Sequence, residues 1–487
     1  MSKILYISSE AFPLIKTGGL ADVAGSLPIA LSEQGEAVRL LLPAYPQVMQ
    51  QVENSQQLAK GNYYGFEVTL LETHLPNSEV PAWLVNCPAA FDRPGGPYVD
   101  NDGQPWHDNA LRFALFCQIA VDIALDKLNL GWQPDIVHCN DWQSGLVPAL
   151  LQPFKERPAT LFTIHNLAYQ GLFSHQTFSD LGLSTDLWHP DRLEFYGQLS
   201  FIKGGLVYAD RINAVSPTYA KEILRPEFGN GVDGLLQHRQ KRLSGILNGI
   251  DQTIWNPATD PHLAANYSAC KLAPKCKNKT ALQKQLGLPV DAKIPLLGMI
   301  SRMVEQKGLD IILDAMAEIV KLPMQLVILG SGERHYEMQL VKWANNHPDK
   351  LNVVIGYNET LSHQIEAASD LFLMPSAFEP CGLNQLYSLR YGTLPIVSNV
   401  GGLADTIVDA NDLNRQNKMA NGFIVTEQSA HALLTTLRHA LALYQEPAAW
   451  EKLQLTAMKG DFSWKRSAEH YIKLYQLALA DRDQTVA

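Results

Sequence analysis

The sequence lacks any apolar run approaching the roughly 20 residues that a membrane-crossing helix needs, and this excludes a helical membrane protein. Cysteine is scarce and dispersed. Cys87, Cys117, Cys139, Cys270, Cys276 and Cys381 are the six in 487 residues, and none forms a C-x-x-C pair. That spacing argues against a zinc site or a disulfide framework and describes reduced thiols. Positive charge is in deficit, with 39 Lys and Arg against 49 Asp and Glu and a formal net charge of -10. A nucleic-acid or anionic-membrane partner requires a basic face, so neither is expected, and any anionic ligand must be met by local cations. The opening MSKILYISSE has no long apolar stretch and no small-residue cleavage site, so the expected location is cytoplasmic.

What is present is ordinary globular material, 46% hydrophobic and 18% charged, in a chain too long for one core. Two domains are expected. Short apolar runs alternate with helical stretches, the pattern of doubly wound α/β sheets with parallel strands covered on both faces. In the first half these runs cover residues 3–8, 37–42, 66–71, 82–86, 135–138, 159–165 and 211–215. The rhythm restarts at 295–300 and continues at 325–329, 352–355, 371–374, 394–398 and 422–425. Between the halves, residues 247–279 are polar, basic and poor in strand signals, as expected of a linker with an irregular excursion. The predicted division is residues 1–247, completed by a C-terminal helix within 461–487, and residues 248–460.

Doubly wound sheets bind ligands beyond the carboxyl ends of their strands, and the unusual residues of this chain fall there. K-T-G-G-L places Gly18 and Gly19 between a strand and an amphipathic helix, where backbone amides approach an anion and Lys16 adds charge. It is neither G-x-x-x-x-G-K-[ST] nor G-x-G-x-x-G, so no P-loop or dinucleotide fingerprint is implied. Asp141 in DIVHCNDWQSGL sits at a strand-to-helix junction, suited either to capping the helix or to accepting from sugar hydroxyls. His165 and Asn166 in TLFTIHN end another strand. There a neutral imidazole either bonds a hydroxyl or is a satisfied structural group.

In the second half, Arg302 ends a strand and Lys307 precedes the next helix. A short loop would aim a guanidinium fork and a compact ammonium at one diphosphate. In PSAFEPCGLNQL, Glu379 follows a buried strand, and Gly382 to Asn384 open a helix whose amides suit phosphate oxygens. Glu379 fits a helix cap or a group that stabilises an oxocarbenium-like sugar. Cys381 has no base near it in sequence and reads as a packed thiol. Asp100-Asn101-Asp102 has the D-x-D shape of a metal-holding motif but lies in a Gly/Pro/Asp-rich loop, where an Asx turn is favoured.

Taken in order, K-T-G-G-L, H-x-x-D-W-x-x-G-L, T-I-H-N, L-N-G-I-D, S-R-M-V-E-Q-K-G, F-E-P-C-G-L-x-Q-L and G-G-L-A-D-T resemble the bacterial glycogen synthases and plant starch synthases over nearly the whole chain. The resemblance implies the glycosyltransferase B architecture, two Rossmann-like domains with an interdomain cleft and a C-terminal helix at about 464–479 returning to the first domain. It implies ADP-glucose as donor, an α-1,4-glucan as acceptor, retention of configuration, and no metal or other cofactor. By it Arg302 and Lys307 bind the diphosphate, Glu379 is the catalytic carboxylate, and Asp141 and His165 hold the transferred glucose. Lys16, Gly18, Gly19, Asn248, Cys381, Gly382 and Leu383 belong to the donor site, and Tyr98 contacts the acceptor glucan. The chain departs from the family pattern at HCNDWQ, which lacks the second histidines of H-x-H-D-W-H, and at Ala377, Ser398 and Asn399, where arginines are frequent. Rival readings are a glucan hydrolase using Glu379 and Asp141 as its carboxylate pair, and a catalytically silent glucan-binding protein.

Overall fold

The computed structural model describes residues 1–486, and their contacts divide into two compact units. One is Met1–Gly249 with the segment that begins at Trp464, and the other is Ile250–Ser463. The division falls two residues after the predicted one, so Asn248 belongs to the first unit, and residues 461–463 belong to the second.

The first unit is built on a nine-stranded sheet. Its strands, with those of a small separate sheet, run β1 (Lys3–Ile7), β2 (Ala37–Pro43), β3 (Gln56–Tyr63), β4 (Phe66–His74), β5 (Pro81–Asn86), β6 (Ile136–Asn140), β7 (Ala159–Ile164), β8 (Leu172–Phe173), β9 (Glu194–Phe195), β10 (Gln198–Ser200), β11 (Arg211–Ala214) and β12 (Leu243–Gly245). The order across the large sheet is β12-β11-β7-β6-β1-β2-β5-β4-β3, while β8, β10 and β9 form the small one. Every residue of IVHCN in β6 and ATLFTI in β7 is buried. Such fully buried strands belong in the middle of a parallel sheet, covered on both faces. The all-parallel expectation fails at one edge, where β3 pairs antiparallel with β4, and β4 with β5. The sequence of β3, QQLAKGNY, is half exposed and mostly polar, as suits an edge strand that must not recruit another chain.

The helix Trp464–Val486 returns to this sheet, burying Ala468, Tyr471, Leu474, Tyr475 and Ala478, a stripe at helical spacing. Polar latches fix its register. The Tyr475 hydroxyl lies 2.8 Å from Nδ1 of His138 in β6, and the Asn213 amide of β11 donates to the Tyr471 hydroxyl at 3.0 Å. Buried His138 also meets Thr163 Oγ1 of β7 at 2.8 Å, and burial drives its pKa well below the ordinary value, so it is neutral.

The second unit holds a six-stranded, fully parallel sheet of β13 (Leu296–Ile300), β14 (Gln325–Gly330), β15 (Leu351–Ile355), β16 (Leu371–Met374), β17 (Leu394–Ser398) and β18 (Phe423–Val425), ordered β15-β14-β13-β16-β17-β18. The stretch expected to be a linker is largely packed instead. Trp255 is stacked between Tyr387 and His363, with ring centroids 3.8 Å and 3.9 Å away and ring planes nearly parallel to its own. Asp260 accepts from His363 Nδ1 at 2.7 Å and from the Tyr391 hydroxyl, and buried Lys275 donates to the Ala367 carbonyl and Thr393. A second small core around Ile250, Trp255, Tyr267 and Tyr391 results. No helix among the described residues is long and apolar enough to cross a membrane.

Candidate active site

Within the first unit, the candidate residues gather beyond the carboxyl ends of β1, β6 and β7. The loop after β1 carries a residue that sequence reasoning missed, Glu10. Its buried carboxylate accepts from the Thr17 amide at 2.5 Å, the Thr17 hydroxyl at 2.6 Å, the Gly18 amide at 3.2 Å and the Tyr98 hydroxyl at 2.6 Å. One acid therefore ties the K-T-G-G-L turn to the loop of the expected acceptor residue. The Gly18 amide, expected to face an anionic ligand, donates to this internal anion, and Gly19 is the first residue of the helix Gly19–Glu33. Lys16 pairs with Asp22 in that helix at 2.8 Å and lies over the Phe12 ring. The available signal for Glu10 was its position: an acid directly after a buried strand and just before the glycine turn. The ring of Tyr98 lies tilted beside those of Phe113 and Trp142, with centroids 6.0 Å and 6.5 Å away.

Asp141 follows β6 with φ +53°, a conformation that costs a non-glycine residue energy and marks a constrained position. It caps nothing in its own short helix. Its carboxylate accepts from the backbone amides of His165 at 2.7 Å and Asn166 at 3.4 Å, which staples the loop after β6 to the loop after β7. Burial raises its pKa to about 7, the two amides oppose that rise, and the charge of Glu10 adds to it. His165 is buried, with Nε2 at 2.9 Å from the Asn140 side-chain oxygen. Burial lowers its pKa to about 3, so the imidazole is neutral. Asn248 is buried, and its side-chain oxygen has no hydrogen-bond partner among the described residues. The D-x-D segment is an Asx turn, Asp100 accepting from the amides of Asp102 and Gln104, both at 2.9 Å.

Within the second unit, the ends of β13 and β16 meet. Arg302 stands exposed just past β13, and its loop is pinned to the one after β14 by the Met303 amide, which donates to the Ser331 carbonyl at 2.8 Å. Lys307 closes a single 3-10 turn, Glu305–Lys307. The next residue, Gly308, has φ +73°, and a Cβ there would lie 2.0 Å from the Pro375 carbonyl oxygen. Only glycine permits that approach. It carries Lys307 to the end of β16, where the ammonium lies 2.6 Å from Glu379 Oε2, the oxygen that also accepts from Ser376 at 3.0 Å. Glu379 is buried, and its backbone carbonyl accepts from the Gly402 amide at 3.1 Å. Cys381 is buried, while Gly382 and Leu383 lead into the helix Asn384–Arg390. Asn384 ties that helix to the Ile300 carbonyl of β13 at 2.7 Å. Thus the structure brings Lys307, Glu379, Cys381, Gly382 and Leu383 together around one strand end. A buried carboxylate paired with a half-buried ammonium there can share charge with a sugar and a phosphate and exchange partners when a ligand enters.

Known proteins resemble both halves of this chain. The family model described as the starch synthase catalytic domain matches residues 3–238, and that of glycosyl transferases group 1 matches residues 279–453. Glycogen synthase 1 of Methylococcus capsulatus is 55% identical over 478 residues, covering 98% of this chain and 97% of its own length. The glycogen synthase of Cellvibrio japonicus is 54% identical over 477 residues, covering 98% and 99%. Among solved structures, the catalytic domain of starch synthase IV from Arabidopsis thaliana, bound to ADP and acarbose, superposes with a TM-score of 0.89 at 33% identity, over 98% of this chain and 99% of that one. Sucrose-phosphate synthase from Thermosynechococcus elongatus shares the fold alone, with a TM-score of 0.62 at 19% identity over 99% and 100%. With the family models, near-full-length identity and a closely superposing structure in agreement, the chain belongs to the glycogen and starch synthase family of glycosyltransferases with the glycosyltransferase B fold.

Proposed function

We propose that this hexosyltransferase moves glucose from ADP-glucose to the nonreducing-end 4-hydroxyl of an α-1,4-glucan, with retention of the α configuration. The observation that carries the site assignment is the Lys307–Glu379 pair, 2.6 Å apart at the end of β16, with Ser376 donating to the same carboxylate oxygen. A nucleoside diphosphate leaving a sugar needs cations where its charge develops, and Arg302 and Lys307 supply them without calling on a divalent ion. Glu379 stabilises the oxocarbenium-like sugar, with Cys381, Gly382 and Leu383 framing the donor. In the first unit, Asp141 and neutral His165 hold glucose hydroxyls, Lys16, Gly18, Gly19 and Asn248 complete the donor contacts, and Tyr98 meets the acceptor. No strong nucleophile is assigned to the sugar's other face, so the acceptor enters on the face the diphosphate leaves.

The choice of ADP draws support from the starch synthase IV structure, which holds ADP and acarbose. A coupled assay of nucleoside diphosphate release tests the whole reading, comparing ADP-glucose with UDP-glucose, with and without glucan and with and without chelator. Release that requires glucan, prefers ADP-glucose and ignores chelator is expected. Sugar release from glucan without nucleotide would replace the transferase by a hydrolase, and loss of activity in chelator would restore a metal.

A further inference from the structure

Asn140 is the last residue of β6 and is fully buried between the end of β1 and His165. Its side-chain nitrogen lies 2.9 Å from the Ile7 carbonyl oxygen, and its side-chain oxygen lies 2.9 Å from His165 Nε2 and 3.2 Å from the Tyr6 hydroxyl. A backbone carbonyl only accepts, so the amide NH2 must be the group facing Ile7. The amide oxygen then faces both Tyr6 and His165. Since that oxygen also only accepts, Nε2 of His165 must carry the hydrogen, and in a neutral imidazole the other nitrogen is bare.

We infer that Asn140 is a positioning residue that locks His165 as the Nε2–H tautomer, so that the imidazole meets a sugar hydroxyl through Nδ1, as acceptor and never as donor. The inference deepens the reading of His165 as a sugar-binding group and rests on it. It is specific to this version of the motif. Asn140 stands where the family pattern H-x-H-D-W-H carries a histidine, and a histidine there has two tautomers and a protonated form of its own, whereas a carboxamide has one orientation once Ile7 is satisfied. The lock is anchored on backbone: Ile7 sits in register beside Cys139 in the parallel pairing of β1 with β6, so the carbonyl that orients the amide cannot turn away without unzipping the centre of the sheet.

The test is ring-15N histidine labelling of the full-length enzyme and long-range 1H–15N correlation, the His165 signals being identified by their loss in His165→Ala. The wild type is expected to show a hydrogen-bearing Nε2 and a bare Nδ1. Asn140→Leu removes the acceptor while keeping the branched side-chain outline, so its His165 signals should shift toward a tautomer mixture or the Nδ1–H form, with kcat lowered about tenfold as the reacting geometry loosens. Tyr6→Phe leaves Ile7 and the amide in place and should keep the wild-type pattern. A wild-type spectrum with hydrogen on Nδ1, an unchanged pattern in Asn140→Leu, or loss of Nε2–H in Tyr6→Phe overturns the inference. If Asn140→Leu does not fold, the other two spectra decide. Should His165→Ala retain full glucan-dependent turnover, the sugar-binding role fails while the tautomer assignment stands on its spectrum; the reverse pair of results removes the lock and keeps the role.

Discussion

The ammonium of Lys307 and the carboxylate of Glu379, 72 positions apart in sequence, are 2.6 Å apart in the fold. In this structure each is the other's counter-ion, and the half-buried ammonium keeps the buried carboxylate of Glu379 compatible with its place at the end of β16. A donor whose diphosphate takes the ammonium and whose sugar takes the carboxylate replaces one ion pair by two charge-matched contacts.

Removal of either partner should therefore do more than remove one contact. Lys307→Ala is expected to lower kcat/KM by roughly 10²-fold or more, because the charge it meets grows toward the transition state. Glu379→Gln should lower kcat by roughly 10²-fold with donor binding largely kept. Steady-state kinetics with donor and glucan varied in turn decide this. Near-normal turnover in Glu379→Gln would remove that carboxylate from the chemistry.

Gly308→Ala should act at a distance from the reacting atoms. The new methyl meets the Pro375 carbonyl at 2.0 Å in a left-handed conformation, so the turn must shift. A loss of at least about 1–3 kcal/mol of stability is expected from strain at such a site. Lys307 should also be carried off its partner, lowering turnover at temperatures where the variant remains folded. Urea unfolding together with kinetics is the check; wild-type stability would show that the turn relaxes freely.

Glu10→Gln should weaken the K-T-G-G-L turn and Tyr98 together. A carboxamide matches fewer of the Thr17, Gly18 and Tyr98 donors than a carboxylate does. Since hydrogen bonds to a charged group are worth about 1.5–3 kcal/mol, kcat/KM is expected to fall roughly 10-fold to 100-fold. A double-mutant cycle with Tyr98→Phe measures the coupling. Strict additivity would mean that Glu10 serves the turn alone.

The Trp255 sandwich predicts a pH dependence of stability. Burial pulls the His363 pKa down, but Asp260 and Glu359 outweigh it and raise it to about 9, above the ordinary 6.5 or so of the unfolded chain. The extra proton affinity belongs to the folded state, so its stabilisation is full below about pH 6.5 and fades as pH rises through about 9. His363→Gln should be clearly less stable than wild type at pH 6, and the gap should narrow toward pH 9.5. Thermal unfolding of both proteins across that range tests it, and a gap independent of pH would mean that only stacking on Trp255 is at stake.

Several elements were readable because their cause is local. β6 and β7 are short runs led by Ile136, Val137, Leu161 and Phe162, a composition that suits a strand in the middle of a parallel sheet. β16 and β17 begin and end where the sequence places them, for the same reason. By contrast β3 carries no apolar period; it is a strand because β4 pairs with it, and pairing is not a property of its own residues. Residues 247–279 look like a linker because their composition is polar, yet Trp255, Tyr267 and Lys275 find partners more than 90 residues away. Glu10 and Asn140 were illegible as functional groups, since each acts through atoms that only the fold brings near.

The sequence by itself determined the doubly wound α/β character, the candidate residues at strand ends and, through the order of its motifs, the family. These are encoded in runs of a few residues, where hydrophobic burial and glycine's freedom operate locally. Tertiary structure alone decided which charge faces which: that Glu10 takes the Gly18 amide, that Lys307 is delivered to Glu379 across the Gly308 turn, and that Ile7 orients Asn140 toward His165. Hydrogen bonds and ion pairs act over about 3 Å, and no spacing along a chain specifies a distance that short between residues so far apart in sequence.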